Sequence, residues 1–224
     1  MKDEAITRSW LANADAWTHL VRSDGIESRR LGTNAAVVAA IAELAPATLL
    51  DVGCGEGWLC RAFSGRGVAC TGIDASPPLV AAAREAGGGD FTVTDYATLA
   101  GSNTLPGPFD AIACNFALLG EDITPLLAGL RRRLSPTGRL VVHTMHPWVA
   151  CGDGEYADGW RSETFAAFGA GQFKEAMPWY FRTLARWVAD LGDAGLGLES
   201  LREPPDPNTG RPLSLLMVAA PRAA

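Results

Sequence analysis

Residues able to do chemistry gather first at Asp51-Val52-Gly53-Cys54-Gly55-Glu56-Gly57, directly after the apolar run that begins at Ala47. Glycines after a strand let the backbone turn sharply and let a ligand reach the peptide groups with no Cβ in the way. Asp74 closes the next apolar run, Val68 to Ile73. A carboxylate there can accept both hydroxyls of a ribose. Asp95, beside Tyr96, follows Phe91 to Val93 and could accept from an adenine amino group, and Asn115 ends a further run at the mouth of the same crevice. The glycine spacing is GxGxG followed by Trp58. It is neither the GxGxxG of a dinucleotide turn nor a phosphate-gripping loop ending in Lys-Ser/Thr. The alternative for the cluster taken alone is a tight strand-to-helix turn with Asp51 buried and hydrogen-bonded.

These residues need elements to hold them. Helices are expected over 4–23 and 28–45, the second apolar at Ala35, Val37, Val38, Ile41 and Leu44 and stopped by Pro46. Strands are expected at 47–52, 68–73, 91–93, 109–114 and 140–143, with helices at 57–64, after Ser76-Pro77-Pro78, and at 121–134. Residues 147–177 show no convincing period, and 178–194 read as an amphipathic helix. Leu196–Leu201 and Leu213–Val218 close the sequence as two strands joined too briefly for a crossover helix, hence antiparallel to each other. Strand–helix alternation predicts an α/β architecture, a doubly wound and mostly parallel sheet covered on both faces. One domain is expected: a helical cap (1–45), a core (46–146), an inserted aromatic cap (147–183) and a final helix with strands (184–224).

Composition narrows the classes. With 224 residues, 48% hydrophobic and 20% charged, the chain is neither disordered nor a coiled coil. Nineteen Lys and Arg stand against 25 Asp and Glu, a net −6, which disfavours a nucleic-acid binder. Five cysteines without a CxxC pair fit neither a disulfide framework nor a structural zinc site, and no metal is expected. The start, MKDEAITRSW, carries charges where a signal peptide needs its apolar region, and no apolar stretch approaches the ~20 residues of a membrane span. A soluble, cytoplasmic protein is expected. Of seven Trp, only Trp58 lies within 47–144; Trp10, Trp17, Trp148, Trp160, Trp179 and Trp187 flank it.

At these motifs the sequence resembles the class I S-adenosylmethionine-dependent methyltransferases of the small-molecule type. LLDVGCGEGWL is similar to the family's first motif, TGIDAS to its second, TDYATL to its third and FDAIACNFALL to its fourth. The resemblance covers about 46–146, and the two final strands fit as well. It implies a Rossmann-like, seven-stranded mixed sheet with the last strand antiparallel, and S-adenosylmethionine as cofactor. Carried over residue by residue, Gly53, Cys54 and Gly55 would lie under the methionine part and Asp51 near its ammonium. Asp74 would take the ribose, and Ala75 would flank the adenine, with Asp95 and Tyr96 at the adenine edge. Asn115 and Phe116 would line the cavity beside the sulfonium. Family members often lay an N-terminal leader over the cofactor, which makes Arg30 or Arg29 a partner for the methionine carboxylate. Asn115-Phe116-Ala117-Leu118 departs from the Asn/Asp-Pro-Pro-Tyr/Phe signature of the nucleic-acid methylators, and no nucleic-acid partner is expected.

The implied reaction is in-line transfer of a methyl group to an O or N atom of a small, flat or aromatic metabolite. It needs a general base only where the nucleophile is protonated. His146, in Thr144-Met145-His146-Pro147-Trp148, is the candidate base; a turn residue is the alternative, and His143 reads as a sheet residue. Trp17, Trp148, Trp179, Tyr180 and Arg182 are the candidate acceptor-binding residues, with ordinary packing and a solvated charge as their alternatives. A nicotinamide-dependent oxidoreductase and a non-catalytic cofactor-binding regulator stand as rivals. Monomer and homodimer both remain open.

Overall fold

The computed structural model describes residues 2–101, 107–169 and 171–222. Its strands are β1 (Thr48–Val52), β2 (Ala69–Asp74), β3 (Asp90–Val93), β4 (Phe109–Asn115), β5 (Leu134–Met145), β6 (Gly159–Glu163), β7 (Met177–Phe181), β8 (Leu196–Arg202) and β9 (Ser214–Pro221). Its α-helices are α1 (Lys2–Arg22), α2 (Asn34–Glu43), α3 (Trp58–Ser64), α4 (Pro77–Ala86), α5 (Tyr96–Gly101), α6 (Thr124–Arg131), α7 (Pro147–Cys151) and α8 (Leu184–Asp193).

Seven strands form one sheet in the order β3-β2-β1-β4-β5-β9-β8. The five from β3 to β5 are mutually parallel, and β9 runs antiparallel to both of its neighbours. The expected mixed sheet is thus found, with the last strand, β9, antiparallel and one place in from the edge. From β1 the chain moves outward through β2 and β3, then returns to β4 on the other side of β1. That reversal opens a crevice above the carboxyl ends of β1 and β4.

Strand alternation splits the core in two. Leu50, Val52, Ile112, Val142 and Met217 pack with Leu127 of α6 and Leu191 of α8. Leu49, Ala113, Val141 and Leu216 face the other way, onto Ile41 of α2, Leu59 of α3 and Val80 of α4. Asp51, Asn115 and His143 continue the second set by the period of two, so three polar residues reach one face at the ends of β1, β4 and β5.

Several element boundaries differ from the sequence reading. Residues 178–194 are not one helix: Met177–Phe181 form β7, paired antiparallel with β6, and α8 starts only at Leu184. Pro178 and the run of rings favour an extended chain, and Thr183 caps the helix by accepting from the Arg186 N–H at 3.2 Å. The span 28–45 divides into a π-helical turn, Arg29–Thr33, and α2. The helix expected over 121–134 is α6 alone, because Leu134 already belongs to β5. No helix among the described residues is long and apolar enough to cross a membrane.

Candidate active site

The chain leaves β1 through a turn in which the Gly53 and Cys54 N–H groups both donate to the Ile73 carbonyl, at 2.8 and 2.9 Å. Gly55 holds φ +55°, and a Cβ there would meet only the Trp17 Nε1, at 3.9 Å, across open space. Gly57, at φ +85°, would place a Cβ 2.9 Å from the Phe91 ring and 3.0 Å from Ala83. The close helix–sheet packing that a dinucleotide turn assigns to its third glycine is met here at the shorter GxGxG spacing.

Above this turn lies a cavity of about 560 Å³. Of the residues singled out in the sequence, Asp51, Gly53, Cys54, Gly55, Asp74, Ala75, Asp95, Tyr96, Asn115, Phe116 and Trp17 line it. Asp74 Oδ2 accepts from the Gly55 N–H at 3.0 Å and Oδ1 from the Ser76 N–H at 2.9 Å. Each oxygen keeps a lone pair for a ligand hydroxyl. Burial raises this carboxyl above its usual range, and the backbone N–H groups of Ser76, Gly55 and Ala75 hold the rise back. Asp51 is 2% exposed, and its carboxyl is pushed up to about 7 by burial and by the Asp74 charge, with Arg29 opposing. Asp95 moves the other way, because the Thr98 N–H donates to its Oδ1 at 2.7 Å. The Tyr96 hydroxyl is committed to the Ala117 carbonyl at 3.0 Å, and burial lifts its phenol well above the ordinary value.

Of the two leader arginines, the structure brings in Arg29 and leaves Arg30 exposed and outside the cavity wall. Successive residues of a helical turn diverge in direction, so one faces the crevice and its neighbour faces water. The Arg29 guanidinium lies 5.5 Å from the Trp17 ring centroid and 5.3 Å from that of Trp58. Its Nη1 is buried with no hydrogen-bond partner. Burial lowers its pKa to about 10, while Glu56, Asp51 and Asp24 resist that shift.

Sequence reasoning missed Glu56. It is 1% exposed and takes both oxygens onto Arg61 Nη2, at 2.7 and 2.6 Å, and Arg22 Nε of α1 at 3.1 Å. That pairing ties α1 to the glycine turn. The helical cap and Trp17 were expected there, but Ile6, Thr7 and Trp10 were not named as lining residues, although Ile6, Trp10, Asn13 and Trp17 recur at helical spacing and mark one face. Ile6, Thr7, Trp10 and Trp17 line the cavity opposite Leu119 and Gly120. Trp10 and Trp17 meet edge to face at 5.1 Å, and Trp10 continues into Phe165 at 6.1 Å. Buried Asn13 pins the insert, donating to the Glu175 carbonyl at 2.7 Å and accepting the Lys174 N–H at 2.7 Å.

Five expected residues lie elsewhere. His146 is buried at the start of α7, its Nε2 2.6 Å from Glu203 Oε1, and is no part of the cavity wall. Trp148 is 70% exposed, because α7 turns it outward. Trp179 and Tyr180 belong to β7, where the Tyr180 N–H donates to the Leu119 carbonyl at 2.8 Å. Arg182 is fully buried: its Nε donates to Asp190 Oδ2 at 2.9 Å, and its Nη2 donates to the Gly120 carbonyl and to the Glu121 carbonyl at 2.8 Å. It therefore fixes the loop that carries Leu119 and Gly120 and does not meet a ligand itself. Among the described residues no cluster of His, Cys, Asp and Glu could hold a metal ion, and all five cysteines are free and buried.

A sheet of this order, with a glycine turn after β1 and acids after β2 and β3, defines the class I S-adenosylmethionine-dependent methyltransferases. Residues 49–138 match the family described as "Methyltransferase domain", and the chain belongs to that class. It is 38% identical over 111 residues to "Ubiquinone biosynthesis O-methyltransferase" of Xylella fastidiosa, a match covering 48% of this chain and 45% of that protein. It is 30% identical over 158 residues to "Uncharacterized methyltransferase C70.08c" of Schizosaccharomyces pombe, covering 67% of this chain and 59% of that one. The chain thus spans about half the length of the curated relatives it matches. Among solved structures, an S-adenosylmethionine-dependent methyltransferase from Mesorhizobium loti shares the fold with a TM-score of 0.64 at 23% identity, covering 84% of this chain and 97% of that one.

The cofactor of this class is S-adenosylmethionine, and the residues present fit it. The cavity offers an unpartnered buried cation at Arg29, a buried carboxylate at Asp51 and a carboxylate with free lone pairs at Asp74.

Proposed function

We propose that this protein transfers a methyl group from S-adenosylmethionine to an oxygen or nitrogen of a small, flat metabolite. The observation that carries the reading is Arg29 Nη1, buried and unpartnered in the same cavity as Asp51 and Asp74. An amino-acid head group wants a cation for its carboxylate and an anion for its ammonium. Arg29 and Asp51 would supply these, Asp74 would accept the ribose hydroxyls, and Asp95 would lie at the adenine edge. Bound there, the cofactor supplies a methyl group already activated by its sulfonium.

The chain's contribution is then to bind, align and exclude water. Effective positioning alone can supply up to roughly 7–11 kcal/mol. None of the three histidines lines the cavity, so no histidine base is assigned and the nucleophile is one that needs little help losing a proton. The acceptor would lie under α1, between Trp10 and the loop at Leu119. In this division of labour residues 46–146 hold the cofactor together with Arg29, the rest of 1–45 roofs the site and 147–183 buttress the roof. The name of the Xylella relatives, an O-methyltransferase, favours oxygen over nitrogen as the receiving atom. Free, buried cysteines suit the reducing cytoplasm.

The test is to incubate the protein with methyl-labelled S-adenosylmethionine and matched phenols and amines, and to follow the label by mass spectrometry. Label in a phenol ether supports the reading. Label in no member of a broad panel, from protein that binds the cofactor, would make the chain a binding protein instead.

A further inference from the structure

At the ends of β4 and β5, Asn115 and His143 are register partners, and the His143 Nδ1 lies 2.8 Å from the Asn115 Oδ1. His143 is 1% exposed, and its Nε2 has no partner. Two arrangements of protons would satisfy that contact. In one, Nδ1–H donates to Oδ1 and Nε2 keeps a bare lone pair. In the other, the amide is turned over, its NH2 donates to Nδ1, and an Nε2–H is left buried with no acceptor.

The first is favoured. An unsatisfied buried N–H is the costlier orphan. Burial, and then the Arg29 charge, hold the ring neutral, as both arrangements require. Phe116 fixes the imidazole: its N–H donates to the His143 carbonyl at 2.7 Å, and its ring centroid lies 4.7 Å from the imidazole. Asn115 lines the cavity, and among the described residues nothing accepts from its Nδ2.

We propose that His143 is a positioning residue that turns the Asn115 NH2, and not its carbonyl oxygen, toward the cavity, so that the atom received there is a hydrogen-bond-accepting oxygen. This rests on the cavity being the methyl-transfer site. An amine nucleophile would want the opposite, an acceptor for its own N–H groups; here Asn115 Oδ1 is engaged by His143, and the NH2 is the group left without a partner. The pair therefore selects for a hydroxyl or phenolate acceptor at the end of β4.

The test uses the full chain, with histidine ring and asparagine amide nitrogens labelled, saturated with S-adenosylhomocysteine and read by NMR. His143 is expected to be neutral with its proton on Nδ1. Added phenol is expected to shift the Asn115 NH2 signals more than aniline does. A proton on Nε2, no response to phenol, or a larger response to aniline would each overturn the proposal. His143→Phe is expected to lose most of the phenol shift, and His143→Gln, whose amide can donate to the same oxygen, to keep it. An undiminished shift in His143→Phe would reduce the residue to a packing role and overturn the proposal. Should that variant fail to fold, the Gln variant and the tautomer decide. If S-adenosylhomocysteine does not bind, the proposed function fails by itself, and the tautomer is still read on the free chain.

Discussion

Asp51 and His143 face the same side of the sheet and respond to burial with opposite signs. The Asp51 carboxyl is pushed up from 3.8 to about 7, chiefly by burial. Between those values the folded chain holds a proton that the unfolded chain releases, so stability falls as pH rises through the window. The His143 imidazole is pushed down from 6.5 to about 3, again by burial and then by Arg29. Between those values the unfolded chain holds the extra proton, so this stability grows with pH and is lost on acidification. Each slope reaches about 1.4 kcal/mol per pH unit, and they oppose each other where the windows overlap. Urea unfolding of the unmodified chain should therefore depend weakly on pH between about 4 and 6.5 on account of these groups. Asp51→Asn should make stability climb with pH across that range, and His143→Phe should make it decline. Parallel profiles for the two variants would show that the windows are misassigned. Most of this residue-level chemistry is legible in the sequence, because strand ends and glycine turns dictate where Asp51, Asp74, Asp95 and Asn115 must stand. Arg29 over Arg30 is not legible, since a one-residue choice depends on the phase of a π-helical turn.

At the scale of elements, α1 is the roof and the insert is its buttress. Asn13, the contact of Trp10 with Phe165 at 6.1 Å, and the Arg22–Glu56 pair hold α1 between the insert and the glycine turn. Arg182 anchors the opposite wall through a carboxylate and backbone carbonyls. Arg182→Ala leaves Asp190 with Arg186 alone, at 2.6 Å, and takes the donor from the Gly120 and Glu121 carbonyls, and it should destabilise the fold by roughly 3 kcal/mol. The double variant Arg182→Met/Asp190→Leu should recover much of that loss in thermal or urea unfolding. Recovery would be absent if Arg182 were needed by a ligand rather than by the loop. By contrast Trp148, 70% exposed on α7, should tolerate Ala within about 0.5 kcal/mol and leave cofactor affinity unchanged. The sequence misleads most in this region. Pro178-Trp179-Tyr180-Phe181 carries a helical pattern into a strand because its rings fill both faces of a two-stranded hairpin. A cation and three rings in sequence then look like a substrate clamp, whereas pairing with β6 sends them to the loop, the hairpin and the core.

For the whole molecule, the doubly wound order is readable because alternating apolar runs and glycine punctuation leave few ways to cover both faces of a parallel sheet. The crevice at the reversal between β1 and β4 follows from that order, and the acids at the strand ends converge on it. That an N-terminal helical cap covers the crevice is an expectation of the sequence, but how it is held is not readable, since that is set by contacts between segments far apart in the chain, such as Asn13 with Lys174 and Glu175. The central claim is that this cavity holds S-adenosylmethionine through Asp74. Calorimetric titration of the full chain with S-adenosylhomocysteine tests it most directly. One equivalent should bind, and Asp74→Ala should weaken binding about a hundredfold or more, the worth of two hydrogen bonds to a charged group. Asp74→Asn, which keeps the shape and one acceptor, should fall between. A folded protein that gives no heat, or an Asp74→Ala variant that binds as tightly as the parent, would contradict the account.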